Sequence, residues 1–154
     1  ENYAFELPFE PAPLLPTGSL QSLSEILLSP LQIARSAAVF SNAGLMPYPR
    51  LSIAVNTRQQ GWVIFASSEP ARMMDPLIAN QAANTFSRMD YPAWEITSTD
   101  ASSQNQTTWY ITGTLPDWQA TPLVFVVALE NGSPQEARDL GRQVMEQLIT
   151  SGGN

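Results

Sequence analysis

The side chains that most often carry chemistry are scarce in this sequence. It contains no Lys, no His and no Cys. Serines are plentiful, but a nucleophilic Ser needs a neighbouring base to lower its barrier. Only a carboxylate or the chain's own terminal amine is left for that task, which argues against a self-sufficient enzyme. Carboxylates can also work as an acid–base pair. Of the fourteen acids, Glu95, Asp100 and Glu130 fall in or beside segments with strand character, and all three read as solvated strand ends or turn residues. Glu95 stands between Trp94 and Ile96. Strand alternation puts those two on one face and turns Glu95 to the other, toward solvent.

The remaining ligand chemistries are weakly represented. The absence of Cys excludes disulfides and thiolate metal sites without fixing a compartment. A calcium loop needs clustered Asp, Asn and Gly, whereas the polar run 100–106 carries a single acid, Asp100. No Gly-rich phosphate loop and no dinucleotide fingerprint are present. No metal or cofactor is therefore expected. Trp62, Trp94, Trp109, Tyr110 and Trp118 could form a stacking surface, but core packing is the simpler use of such residues. Asn105-Gln-Thr107 and Asn131-Gly-Ser133 match glycosylation acceptors, short motifs that arise readily by chance.

Charge narrows the partners. The seven basic residues are all Arg, scattered at 35, 50, 58, 72, 88, 138 and 142, and the net charge is -7. A basic footprint for nucleic acid is absent, and the acidic balance disfavours anionic lipid. The longest apolar run, 123–129, has the length of a strand, far short of the ~20 residues of a membrane span. No signal peptide is visible, and a first residue of Glu rather than Met suggests a trimmed or processed chain.

The elements that must position these residues follow from punctuation and periodicity. Residues 1–18 read as an extended lead-in, interrupted by Pro8, Pro11, Pro13 and Pro16. Ser29 is a good N-cap and Pro30 suits the first helical position. Ile33, Ala34, Ala37, Ala38 and Phe40 follow at helical spacing, and Gly44 supplies a stop. Residues 51–55 and 62–65 alternate like two strands of a hairpin turning at 59–61. A second helix is expected over about 70–88, opened by Ser68-Glu69-Pro70 and kinked or split at Pro76. Strands are expected at 93–99, 107–113 and 123–129. Asn131-Gly132 ends the last strand, and Ser133-Pro134 caps a final helix presenting Ala137, Leu140, Val144, Leu148 and Ile149 on one face. Strand runs joined by short turns predict an α+β fold, an antiparallel sheet with helices packed on it, in one domain spanning 1–154.

Taken in order, these segments resemble a known family. Ser29-Pro-Leu-Gln-Ile-Ala-Arg35, then Ala37-Ala-Val-Phe-Ser-Asn-Ala-Gly44 and Pro47-Tyr-Pro-Arg-Leu51, is similar to the "T-P-L-Q-hydrophobic-A … A-N-x-G … P-x-hydrophobic" block of penicillin-binding protein transpeptidase domains. Phe5-Glu-Leu-Pro8 resembles the lead-in to that block. The family's Lys-Thr-Gly-Thr strand corresponds to 92–100, with Ile96, Thr97, Ser98 and Thr99 at the four motif positions. Trp109-Tyr-Ile-Thr-Gly-Thr-Leu-Pro116 is similar to the following family strand and keeps its Gly and Pro. Residues 123–131 match the last strand, which ends "hydrophobic-E-N". The resemblance covers the chain from about residue 5 and implies the C-terminal part of a transpeptidase-like, serine β-lactamase-like domain.

The departures carry the functional expectation. The family's Ser-x-x-Lys and Ser-x-Asn motifs precede the Ser29 block, and neither occurs upstream of it here. The motif Lys, which in the family helps bind the substrate carboxylate, is replaced by Ile96. The motif Gly, which lets the substrate backbone approach the strand edge, is replaced by Ser98. An Ile cannot supply positive charge, and a Ser side chain crowds the edge. The resemblance thus implies a non-catalytic domain of a bacterial cell-envelope protein linked to peptidoglycan synthesis. It would lie on the extracytoplasmic face, in a parent anchored in the membrane. One alternative is a C-terminal piece of an active D,D-transpeptidase whose Ser and Lys lie upstream. Another is an independent module that binds peptide or protein through an exposed strand edge or a Trp-rich face. The expected partners are the N-terminal part of the chain's own transpeptidase domain, other envelope proteins, or a second copy. If the chain is such a piece, an edge of strand 123–129 would be unpaired and would form an association site.

Overall fold

A computed structural model describes residues 28–49, 52–66, 69–88, 90–100 and 106–152. The lead-in 1–18 and most of the 100–106 turn lie outside these residues. Helix α1, Pro30–Ser41, starts where its cap predicts. The Gln32 backbone N–H donates to Ser29 Oγ at 3.2 Å, and Ser29 N–H donates to Gln32 Oε1 at 2.7 Å. This reciprocal capping box satisfies two donors that would otherwise have no partner in the helix. The stop is also where Gly44 puts it. Gly44 sits at φ +85, and a Cβ there would collide with the Met74 carbonyl oxygen. Only glycine allows that approach.

The next segment departs from the predicted boundaries. Strands β1 (Leu45–Met46) and β4 (Ala71–Arg72) form a short antiparallel ladder, and β2 (Ala54–Thr57) pairs with β3 (Gly61–Ile64) in a hairpin. The first hairpin strand was expected at 51–55 and begins instead at Ala54. Its register is pinned by the turn: Gly61 adopts φ +68, and the Gln60 N–H donates to Thr57 Oγ1 at 3.0 Å. The turn, more than residue alternation, places the pair. The second helix is corrected too. It does not open at Ser68-Glu69-Pro70, since Ala71–Arg72 is strand. Helix α2 is Pro76–Thr85, capped by Asp75, whose Oδ1 accepts the Leu77 N–H at 2.8 Å. Pro76 is therefore the first helical residue, where its missing N–H costs nothing, and it neither kinks nor splits the helix.

The three remaining strands lie within a residue or two of expectation: β5 (Ala93–Asp100), β6 (Thr107–Thr114) and β7 (Val124–Glu130). They form an antiparallel sheet in the order β5-β6-β7. Helices α1 and α2 cover one face and α3, Pro134–Gly152, covers the other. The fold is α+β, as predicted. On the α1/α2 face Trp94 is fully buried among Ala37, Ala83, Phe40, Ile96 and Ile111. Its indole N–H donates to Ser41 Oγ at 2.9 Å, and Phe40 meets the ring edge-on at 5.6 Å. Gly113 lies opposite Trp94 in the register, where a Cβ would come 2.7 Å from the indole.

Helix α3 is rotated from the predicted orientation. Its buried stripe is Ala137, Gly141, Met145 and Ile149, spaced by four, while Leu140 and Leu148 of the predicted face are 45% and 40% exposed. The cause is Tyr110, which stands on β6 against the helix. A Cβ on Gly141 would collide with the Tyr110 ring. The glycine makes the notch that admits the ring, and the notch sets the helix rotation.

Candidate functional site

Strand β5 carries the four residues that the resemblance matches to the motif, and the sheet separates them. Ile96 pairs in register with Ile111, Thr97 with Tyr110, Ser98 with Trp109 and Thr99 with Thr108. Alternation puts Ile96 and Ser98 on the α1/α2 face and Thr97 and Thr99 on the α3 face. Ile96 is partly buried and packs against the Trp94 cluster. Ser98 is exposed. Thr99 and Thr108 hydroxyls lie 3.3 Å apart, and Thr108 Oγ1 donates to the Gly132 carbonyl at 2.7 Å. Thr97 is half-buried.

The backbone of β5 is partly occupied along its outer edge. The Glu95 N–H donates to the Phe86 carbonyl and the Arg88 N–H to the Ala93 carbonyl, each at 3.0 Å. The segment leaving α2 thereby closes the edge as far as Glu95. Among the described residues no strand partner continues along Thr97 and Thr99. A peptide added to this edge would have only the C-terminal half of the strand to pair with.

Glu95 is the residue whose place sequence reasoning missed. It does face away from Trp94 and Ile96, but the far face is covered by α3, so it meets protein where solvent was expected. Arg142 of α3 grips its carboxylate with two nitrogens, Nε reaching Oε2 at 3.0 Å and a terminal nitrogen reaching Oε1. The Tyr110 hydroxyl donates to the same Oε2 at 2.8 Å. Burial alone would push the carboxyl up. The hydrogen bonds from Arg142 and Tyr110, with the charges of Arg142 and Arg88, outweigh burial and hold Glu95 below its ordinary value. Burial and the adjacent carboxylate push Tyr110 up to about 12, and the hydrogen bond to Glu95 raises Arg142 above its usual value. All three groups thus keep their ordinary charge states at neutral pH. The available signal was the predicted third strand: an acid on the far face of a sheet covered by an Arg-bearing helix is a pair waiting to form.

Around this triad lies an open cleft of about 420 Å³, bounded by residues 85–88, Asp90, Glu95 and Arg142. Arg88 sits over the Tyr91 ring at 5.2 Å and pairs with Asp90 at 3.4 Å and Glu146 at 3.5 Å. Both arginines of the cleft are therefore held by acids of the chain itself. Among the described residues no group of three or more His, Cys, Asp or Glu could hold a metal ion. Nor is any helix there long and apolar enough to cross a membrane. The tryptophans divide between roles: Trp94 is core, Trp118 packs against the Met145 cluster, and Trp62 is 72% exposed.

No family model matches the sequence. No curated protein matches it either. Solved structures do. The fold is similar to that of a peptidoglycan synthetase from Bifidobacterium adolescentis, with a TM-score of 0.61 and 20% identity, covering 80% of this chain and 26% of that one. It is also similar to the D,D-transpeptidase domain of a peptidoglycan glycosyltransferase from Eggerthella lenta, with a TM-score of 0.60 and 15% identity, covering 82% of this chain and 33% of that one. The chain thus spans about a quarter to a third of the structures it matches. Its fold is that of part of a transpeptidase domain, as the ordered motifs predict.

Proposed function

We propose that this chain is the C-terminal part of a penicillin-binding-protein-type transpeptidase domain that serves peptidoglycan synthesis at the cell envelope without carrying the chemistry itself. Ile96 carries this reading. The sequence resemblance matches it to the family's motif Lys, and its partly buried side chain packs against the Trp94 cluster. An aliphatic group there offers a substrate carboxylate nothing. Among the described residues, Arg142 and Arg88 lie on the α3 side and are paired with Glu95, Asp90 and Glu146. The exposed Ser98 adds bulk where the family has none. The role that fits is structural: a domain that holds partners in an envelope assembly.

The reading is tested with the longer protein that contains this chain, incubated with a fluorescent penicillin. The expected result is no covalent label. A label on a Ser upstream of the Ser29 block would mean an active D,D-transpeptidase, with Thr97 and Thr99 lining its substrate strand. A label on the isolated 154-residue chain would overturn the non-catalytic reading outright, since no Lys or His is present to activate a serine.

A further inference from the structure

The hairpin of β2 and β3 stands apart from the rest of the fold. Among the described elements the two strands pack only on each other. A two-stranded hairpin on its own is marginally stable in water and gains stability by packing on something else. This one is nevertheless apolar on both faces. Its register pairs Val55 with Val63 on one face, and Ala54 with Ile64 and Asn56 with Trp62 on the other. Ile64 at 80%, Trp62 at 72% and Ile53 at 68% are the three most exposed large hydrophobic residues described, and Val55 is exposed as well. Single exposed apolar residues are ordinary, whereas a contiguous cluster marks an interaction site.

Charge is as uneven as exposure. The net charge of -7 disfavours an anionic surface for the chain as a whole. Yet no acid occurs between Leu28 and Ala66, and ten of the fourteen acids lie between Glu69 and Glu146. The one charge on the hairpin is Arg58, exposed in the turn between the strands. At physiological ionic strength charges are screened beyond about 8 Å, so acids elsewhere weigh little on an element that packs on no other. The two apolar faces select the kind of partner. A folded protein surface covers one face of a hairpin. The fluid headgroup–acyl boundary of a bilayer surrounds a shallowly immersed element on every side. Trp is enriched at that boundary, and the long Arg side chain keeps its charge among the headgroups while its stem lies on apolar surface.

We infer that the β2–β3 hairpin docks on an anionic phospholipid bilayer, with Trp62 and Ile64 immersed at the headgroup boundary and Arg58 against the phosphates. The inference goes beyond the proposed function and does not depend on it. A lipid-binding hairpin is compatible with a catalytic or a non-catalytic parent, and penicillin labelling reads that question separately.

The 154-residue chain would be mixed with vesicles of phosphatidylcholine alone and of equal parts phosphatidylcholine and phosphatidylglycerol, and binding read by co-sedimentation. The anionic vesicles are expected to bind it about fivefold or more tighter than the neutral ones. Trp62→Ser combined with Ile64→Ser should weaken binding about tenfold or more. Arg58→Glu reads the same site from an exposed turn, without touching the apolar faces. It should cost about fivefold or more on anionic vesicles and nothing on neutral ones. Leu77→Ser combined with Ile78→Ser, both exposed on α2, should leave binding unchanged. An equal loss in the α2 variant would assign binding to exposed apolar surface in general and overturn the inference. Equal binding to both vesicles, or to neither, would overturn it too. So would self-association without lipid that the Trp62 and Ile64 substitutions abolish, which would assign the hairpin to a second copy.

Discussion

At the residue scale the decisive group is Glu95, which ties β5 to β6 through Tyr110 and to α3 through Arg142. Its side chain is 16% exposed and that of Arg142 is 35% exposed, so solvent screens part of the interaction. Glu95→Gln keeps the shape and removes the charge. The expected loss is about 1–3 kcal/mol of stability, read from denaturant midpoints, with Arg142→Met on the Gln background costing little more. The pH dependence has a fixed sign. A carboxyl held below its ordinary value contributes stability that is present above about pH 4.3. That contribution is lost as pH falls through the depressed value. The Tyr110 hydroxyl, raised to about 12, contributes stability that is complete below about pH 10 and lost as pH climbs through 12. The unsubstituted chain should therefore lose midpoint at both extremes. Glu95→Gln should flatten the acid side, and an unchanged acid limb would show that Glu95 is not the group responsible.

At the scale of elements, what could be read from the sequence depended on whether the deciding cause was local. The start of α1 was legible because Ser29, Pro30 and Gln32 act within one turn. The three sheet strands were legible because alternation and turn residues bracket them. Helix α2 was misplaced because Ser68-Glu69-Pro70 and Asp75-Pro76 carry the same opening signal. The choice between them is made by β1, a strand some 25 residues earlier that claims Ala71–Arg72. The rotation of α3 and the pairing of Glu95 were hidden for the same reason, since both depend on what packs across the sheet. Gly141 makes the point testable. Gly141→Ala improves helix propensity by nearly 1 kcal/mol yet drives a methyl group into the Tyr110 ring. Overpacking of that kind costs about 1–3 kcal/mol, so net destabilisation is expected. A double substitution with Tyr110→Leu should recover part of it. Stabilisation by Gly141→Ala alone would mean that the notch does not set the helix rotation.

At the scale of the whole molecule, the sheet has one side that no strand among the described residues covers. Strand β7 pairs with β6 and with no other strand among the described residues, and the apolar groove between α1 and Val124 runs beside it. An edge of seven residues that no other strand among the described residues pairs with is a template for another strand. We expect the isolated chain to associate through it. The net charge of -7 opposes association, but at physiological salt that repulsion is screened beyond about 8 Å and does not reach into a hydrogen-bonded contact. Sedimentation velocity of the isolated chain should therefore show a concentration-dependent increase in mass. Ala128 is exposed on β7, and Ala128→Lys places a charge on the edge without touching the core. It should leave stability within about 0.5 kcal/mol of the parent and shift the distribution to monomer. Association that persists unchanged in Ala128→Lys would move the contact away from β7. The longer protein, if its further polypeptide supplies a strand to this edge, should remain monomeric under the same conditions.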